Sequence, residues 1–234
     1  MRRRPGASLS KSPGEKAAQG GSLLALSPAL GDRRRRRVGL LGGSFNPAHD
    51  GHLHISREAL RRLRLDEIWW LVSPQNPLKP VSGMAPLADR MAAAAAVVTD
   101  KRIKVTDIET RLGTRYTADT LDALKRRFPR TRFVWLMGAD NLAQIRRWGR
   151  WQHIFHTVPI AVFARPSYCL EGLSELSAWR FARRRVPPEQ ARYLADLAPP
   201  AWAFFPSRLN ASSATQIRSR LAAGSGRRKR TGQR

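Results

Sequence analysis

The sequence predicts an α/β fold, a doubly wound parallel sheet with helices on both faces. Three observations carry this expectation. Short apolar runs rich in Val, Ile, Leu, Phe and Trp alternate with amphipathic or Ala-rich stretches, as strands alternate with crossover helices. The first of these runs passes through Gly42-Gly43 into a helix-like segment, the strand–turn–helix unit from which parallel sheets are built. A chain of 234 residues, 42% hydrophobic, can fill one core for one domain.

Residues 38–41 are short and apolar, as a strand buried on both faces should be. Residues 53–65 read as an amphipathic helix: Leu53, Leu60 and Leu63 share a stripe, with Arg57, Arg61 and Arg64 elsewhere. A second strand follows at 67–73, and three prolines make 74–80 a loop. The Ala-rich stretch 87–98 is a helix opened by Pro86. Residues 103–108 form a third strand, 110–117 a loop and 118–128 a helix. The fourth strand, 132–137, runs into Gly138-Ala139-Asp140 and a helical or broken segment at 141–155. A fifth strand at 158–164, helix-like stretches at 173–185 and 188–198, a last strand at 201–205 and a final helix at 214–223 complete the domain 38–223. Residues 1–37 and 224–234 lack hydrophobic periodicity and read as disordered basic tails.

The net charge of +26 is unevenly placed: +8 falls in residues 1–37, +5 in 224–234 and +13 in 38–223. Anionic nucleotides explain it, as do nucleic acid or arginines that are simply solvated. Nonspecific contact of the tails is the extent of nucleic-acid binding expected. A single cysteine, Cys169, excludes an internal disulfide framework and fits a reducing, cytoplasmic compartment. The longest apolar run, 91–98, is too short to cross a bilayer. A homo-oligomer stays open.

The chemistry gathers at Gly42-Gly43-Ser44-Phe45-Asn46-Pro47-Ala48-His49-Asp50-Gly51-His52. The glycines allow close backbone approach and dihedrals that a side chain forbids. The helix start that follows presents N–H groups and the positive end of its dipole, a geometry suited to polyphosphate. His49 and His52, three apart, can face one anion. Neither a G-x-G-x-x-G fingerprint nor a Walker loop occurs. Two histidines with a remote cysteine do not make a structural zinc site.

Ligands of parallel sheets lie beyond the C-terminal ends of the strands. That rule groups five post-strand stretches on one rim: 42–52, 75–79, 111–117, 138–151 and 213–218. Here the chain resembles bacterial nicotinate-nucleotide adenylyltransferases of the nucleotidyltransferase superfamily, over residues 38–221. The H-x-G-H opening and Ser213-Ala214-Thr215-Gln216-Ile217-Arg218 resemble the superfamily. Gln75-Asn76-Pro77-Leu78-Lys79, Arg115-Tyr116-Thr117-Ala118-Asp119-Thr120-Leu121 and Gly138-Ala139-Asp140-Asn141-Leu142 with Trp148 resemble this branch. Arg146-Arg147-Trp148 departs from it in lacking a proline shortly before the tryptophan.

The resemblance implies a Rossmann-like sheet of the nucleotidyltransferase type. It also implies adenylyl transfer from ATP, accompanied by Mg²⁺, to nicotinate mononucleotide. His49, His52, Lys79 and Arg218 are the implied catalytic residues. Gly42, Gly43, Ser44, Phe45, Ser213 and Thr215 join the histidines and Arg218 around ATP. Asn46, Lys79, Tyr116, Thr117, Asp140 and Trp148 are assigned to the pyridine nucleotide, with no dedicated metal ligands. Beside phosphates the imidazolium form is favoured, making the histidines electrostatic donors more than bases. Trp148 either stacks on the pyridine ring or forms a core stripe with Trp151. Asp140 either accepts from a ribose hydroxyl or caps a helix.

Overall fold

The computed structural model describes residues 35–74, 83–164 and 176–206. Its strands are β1 (Arg36–Gly43), β2 (Glu67–Val72), β3 (Ile103–Thr106), β4 (Thr131–Gly138), β5 (Ile160–Phe163), β6 (Arg185–Val186) and β7 (Trp202–Phe205). Among the described residues they form one parallel sheet in the order β3-β2-β1-β4-β5-β7-β6. The chain winds outward from β1 through β2 to β3, then returns to the other side of β1 for β4. The reversal opens a crevice beyond the C-terminal ends of β1 and β4, where a doubly wound sheet binds its ligand.

Side chains alternate across each strand, so both faces are apolar. Leu41, Trp70 and Leu136 face α1 (Asp50–Arg62) and α2 (Leu87–Val97). Leu40, Trp69 and Trp135 face the opposite layer, which includes α4 (Thr117–Arg127) and α6 (Trp151–Thr157). Trp70 lies under α1, donating its indole N–H to Ser56 Oγ at 2.8 Å. The buried polar tip is thereby satisfied, as a core tryptophan requires.

Several elements differ from the sequence expectation. β1 starts at Arg36 because ion pairs, not hydropathy, hold its first turn of chain: Arg36 pairs with Glu67, and Arg37 with Asp196 at 2.8 Å. β3 stops at Thr106, and the expected loop opens with α3 (Ile108–Leu112), closed by Gly113 in the left-handed region at φ 63°. The stretch 139–157 is broken into α5 (Ala139–Gln144), a 3₁₀ turn (Ile145–Arg147) and α6.

The expected helix at 173–185 shrinks to α7 (Leu176–Arg180) and a 3₁₀ turn (Ala182–Arg184) before Arg185 enters β6. Arg185 lies 5.5 Å from the ring centres of Trp202 and Phe204, a tertiary contact that favours the strand. Pro187-Pro188 then prevents a continuous helix, leaving only the 3₁₀ segment Ala191–Asp196. The final helix expected at 214–223 lies outside the described residues.

Candidate active site

The β1–α1 turn is held by rings and by a strained residue. Phe45 has φ 45°, a conformation that costs a bulky residue ~1–3 kcal/mol. Its ring stacks on Trp70 at 5.0 Å and meets His52 at 4.6 Å. Gly42 and Gly43 belong to β1 and are not in the left-handed region, so strained dihedrals are not what they supply. A Cβ on Gly42 would stand 2.5 Å from Trp135 Cη2. That glycine makes room for a core indole.

Two imidazoles close the N-terminus of α1. His49 Nδ1 accepts the Gly51 N–H at 3.1 Å, and His52 Nδ1 accepts the His49 N–H at 3.2 Å. This is a reciprocal capping box in which histidines replace the usual Ser and Glu. The ring centres lie 3.9 Å apart, so the two side chains converge. Each Nδ1 lone pair faces a backbone donor, and the ring proton therefore sits on Nε2. In this arrangement a second proton would have to occupy Nδ1, where an N–H already points. Both imidazoles thus converge on the tip of a 13-residue helix, whose N–H groups and dipole favour an anion.

Asn46 is committed to the neighbouring segment. Its Nδ2 donates to Gly83 O at 2.9 Å, and its Oδ1 accepts the Ala85 N–H at 3.5 Å. Ser73, just past β2, donates its N–H to Gly43 O at 3.0 Å and ties the turns after β1 and β2 together.

The other wall starts at α4. Tyr116 is its N-cap and Thr117 its first residue, with no side-chain cap on the helix N–H groups. This is the helix start to which the sequence resemblance assigns the pyridine carboxylate. The Tyr116 ring packs against Gly149, where a Cβ would approach within 3.2 Å. This contact brings the Trp148 loop beside α4. Arg150 (φ 54°) fastens it further, bonding Asp119 at 2.7 Å, while His153 meets Asp122 at 2.9 Å.

Trp148 is half-buried and touches Trp135 edge-on at 6.3 Å. Trp151 instead packs edge-on against Phe155 and Phe181. Both tryptophans nevertheless pack against the same core layer, on either side of the turn at 148–150. Asp140 occupies the first turn of α5 at the C-terminal end of β4, and Gly138 is the N-cap. Lys79, Ser213, Thr215 and Arg218 lie outside the described residues.

Two residues beside the crevice escaped sequence reasoning. Arg90 is 2% exposed on α2, and its one sequence signal is a lone guanidinium in an Ala-rich helix. Glu109 is buried on α3, accepting from Thr120 Oγ1 at 3.4 Å and from Ser73. Burial pushes its carboxyl up to about 7, against the two stabilising hydroxyls. The folded protein thus holds a proton that the unfolded chain has already lost at intermediate pH. Stability attributable to Glu109 is full below its unfolded value of ~4.3 and declines as pH rises towards 7. Glu109→Gln removes that loss, so its melting temperature relative to the parent should climb across this window, by the equivalent of roughly 3 kcal/mol. A difference that stays flat between pH 4.5 and 8 would contradict the assignment.

Comparison with known proteins agrees with this geometry. The family described as Cytidylyltransferase-like matches residues 40–220. A protein of Gluconacetobacter diazotrophicus named "Probable nicotinate-nucleotide adenylyltransferase" is 55% identical over 190 residues, covering 81% of this chain and 88% of its own. Its namesake in Parvibaculum lavamentivorans is 54% identical, covering 79% and 92%. Plasmodium falciparum nicotinic acid mononucleotide adenylyltransferase complexed with NaAD shares the fold at a TM-score of 0.60 and 15% identity, over 79% of this chain and 83% of that one. Fold, crevice and relatives together place the chain in the nicotinate-nucleotide adenylyltransferase family of cytidylyltransferase-like proteins.

Proposed function

We propose that the protein transfers the adenylyl group of ATP to nicotinate mononucleotide, giving nicotinate adenine dinucleotide and pyrophosphate, a step of NAD biosynthesis. The observation that carries this reading is the pair of imidazoles joined at the tip of α1, across the β1/β4 crevice from the open end of α4. An acceptor phosphate oxygen attacks the α-phosphorus in line. The new P–O bond forms as the α–β bridging bond breaks, and pyrophosphate departs with the bonding electrons. Both reactants are ready oxyanions, so the protein supplies alignment and charge stabilisation.

His49 and His52 donate from Nε2 to the α-phosphate oxygens as charge spreads over them. Lys79, Ser213, Thr215 and Arg218 are assigned to the remaining phosphates. Mg²⁺ arrives as part of the nucleotide substrate, held by phosphate oxygens and water. On the acceptor side the α4 amides at Tyr116 and Thr117 receive the pyridine carboxylate. Trp148 stacks on the ring, Asp140 accepts from a ribose hydroxyl, and Asn46 shapes the turn between the two substrates. The transferase domain is assigned to 36–223, opening two residues before the expected 38 because Arg36 and Arg37 belong to β1, and the single cysteine fits a cytoplasmic setting. Among the described residues no helix is long and apolar enough to cross a membrane.

An acceptor panel tests the proposal. ATP is supplied with nicotinate mononucleotide, nicotinamide mononucleotide or phosphopantetheine, and pyrophosphate and dinucleotide are measured. Nicotinate mononucleotide should be the preferred acceptor. Turnover with one of the other two and none with nicotinate mononucleotide would overturn the assignment. Salt-sensitive duplex binding without any turnover would instead favour a nucleic-acid-binding protein.

A further inference from the structure

Arg90 is a buried cation that the transfer chemistry does not use. Its contacts are four main-chain carbonyls. Nε donates to Ala85 O at 2.9 Å, Nη1 to Ser44 O at 2.7 Å and Ser73 O at 2.8 Å, and Nη2 to Pro74 O at 3.1 Å. These oxygens belong to the turn after β1, the turn after β2 and the lead-in to α2. Three stretches at the mouth of the crevice, already cross-linked by Ser73 and Asn46, therefore also converge on one guanidinium.

A buried charge balanced by carbonyl dipoles alone is costly, and desolvation draws Arg90 below the ordinary guanidinium range. It nevertheless stays protonated, as guanidinium does in proteins.

The peptide plane gives this clasp a consequence. The C=O of Ser44 and the N–H of Phe45 point in opposite directions across one planar trans unit. Fixing Ser44 O on Arg90 turns the Phe45 N–H to the far side of the turn. The same reasoning applies one residue earlier: Gly43 O accepts from Ser73 N, which orients the Ser44 N–H away from β2. Two consecutive amides are thus preset, and the second belongs to a left-handed residue. Successive main-chain N–H groups of this kind form anion-binding concavities.

We propose that Arg90 is a positioning residue for adenylyl transfer: from inside the fold its guanidinium holds the Ser44 and Phe45 amides toward the phosphates of ATP and adds a positive charge behind them. The inference rests on the activity proposed above, and its test is separable because pyrophosphate, the product, serves as the probe.

Arg90→Gln removes the charge and the fork, whereas Arg90→Lys keeps the charge on a single nitrogen that cannot span three stretches. Circular dichroism and melting establish that each is folded at the assay temperature. Arg90→Gln should weaken pyrophosphate binding and raise KM for ATP by about tenfold or more, the loss expected of a charge-assisted cluster. Its kcat should fall, while KM for nicotinate mononucleotide stays within about twofold of the parent, and Arg90→Lys should retain more pyrophosphate affinity than Arg90→Gln. Folded variants that bind pyrophosphate as the parent does would overturn the proposal.

If neither variant folds, hydrogen exchange on the unaltered protein decides. Pyrophosphate should slow exchange at the Ser44 and Phe45 amides, and unchanged exchange there would reject the role. A parent protein that binds pyrophosphate yet forms no dinucleotide would defeat the activity instead, leaving the amide measurement valid.

Discussion

Replacing His52 with alanine is expected to lower kcat by about 10²–10³-fold, the usual loss when one preorganised donor to a developing oxyanion is removed. Part of the damage is structural. His52 Nδ1 accepts the His49 N–H, so alanine also opens one half of the helix cap and should cost stability by ~1 kcal/mol. That cost is too small to unfold an ordinary domain, and a circular dichroism spectrum matching the parent should accompany the loss of turnover. His52→Asn separates the two effects. Its carboxamide oxygen can accept the same N–H while its amide nitrogen keeps a donor, so it should recover stability fully and turnover in part. Near-parental kcat in a folded His52→Ala protein would remove the imidazole from the chemistry.

Trp148→Ala should act on the other substrate. Stacking of a base on an aromatic side chain is worth ~1–3 kcal/mol, so KM for nicotinate mononucleotide should rise about tenfold or more. KM for ATP should barely move, because the imidazole pair and the turn after β1 lie on the other wall. The structural cost should be modest. Trp148 is half-buried at the margin of the core, and among the described residues its one ring contact is edge-on with Trp135, whereas Trp151 meets both Phe155 and Phe181. Equal increases in both KM values would point to a packing role through Trp135, whose ring lies against Gly42 in β1.

The sequence made legible whatever depends on near neighbours. A short apolar strand, two glycines and two histidines at a helix start are consecutive in the chain, and they meet in space as that order suggests. The alternation of runs likewise revealed the parallel sheet. What escaped depends on partners distant in sequence. Gly42 looks like a ligand-facing glycine until Trp135 arrives from β4 to occupy the space. Arg90 looks like a solvated arginine until two other turns offer it their carbonyls. Glu109 falls between the expected strand and loop with nothing to single it out, yet α3 buries it beside Thr120 and Ser73. The capping role of the histidines is hidden for the same reason. Proximity to phosphate favours the cation, but the capping bonds that occupy each Nδ1 become visible only when the helix start is built.

The central claim is that His49 and His52 meet ATP as neutral rings, donating from Nε2. A nitrogen-15 spectrum of the histidine-labelled protein, with and without a nonhydrolysable ATP analogue, tests it most directly. Both residues should show an unprotonated Nδ1 and a protonated Nε2, with the Nε2–H resonances shifting when the analogue binds. Two protonated nitrogens on either ring, or Nε2–H signals indifferent to the analogue, would contradict the account.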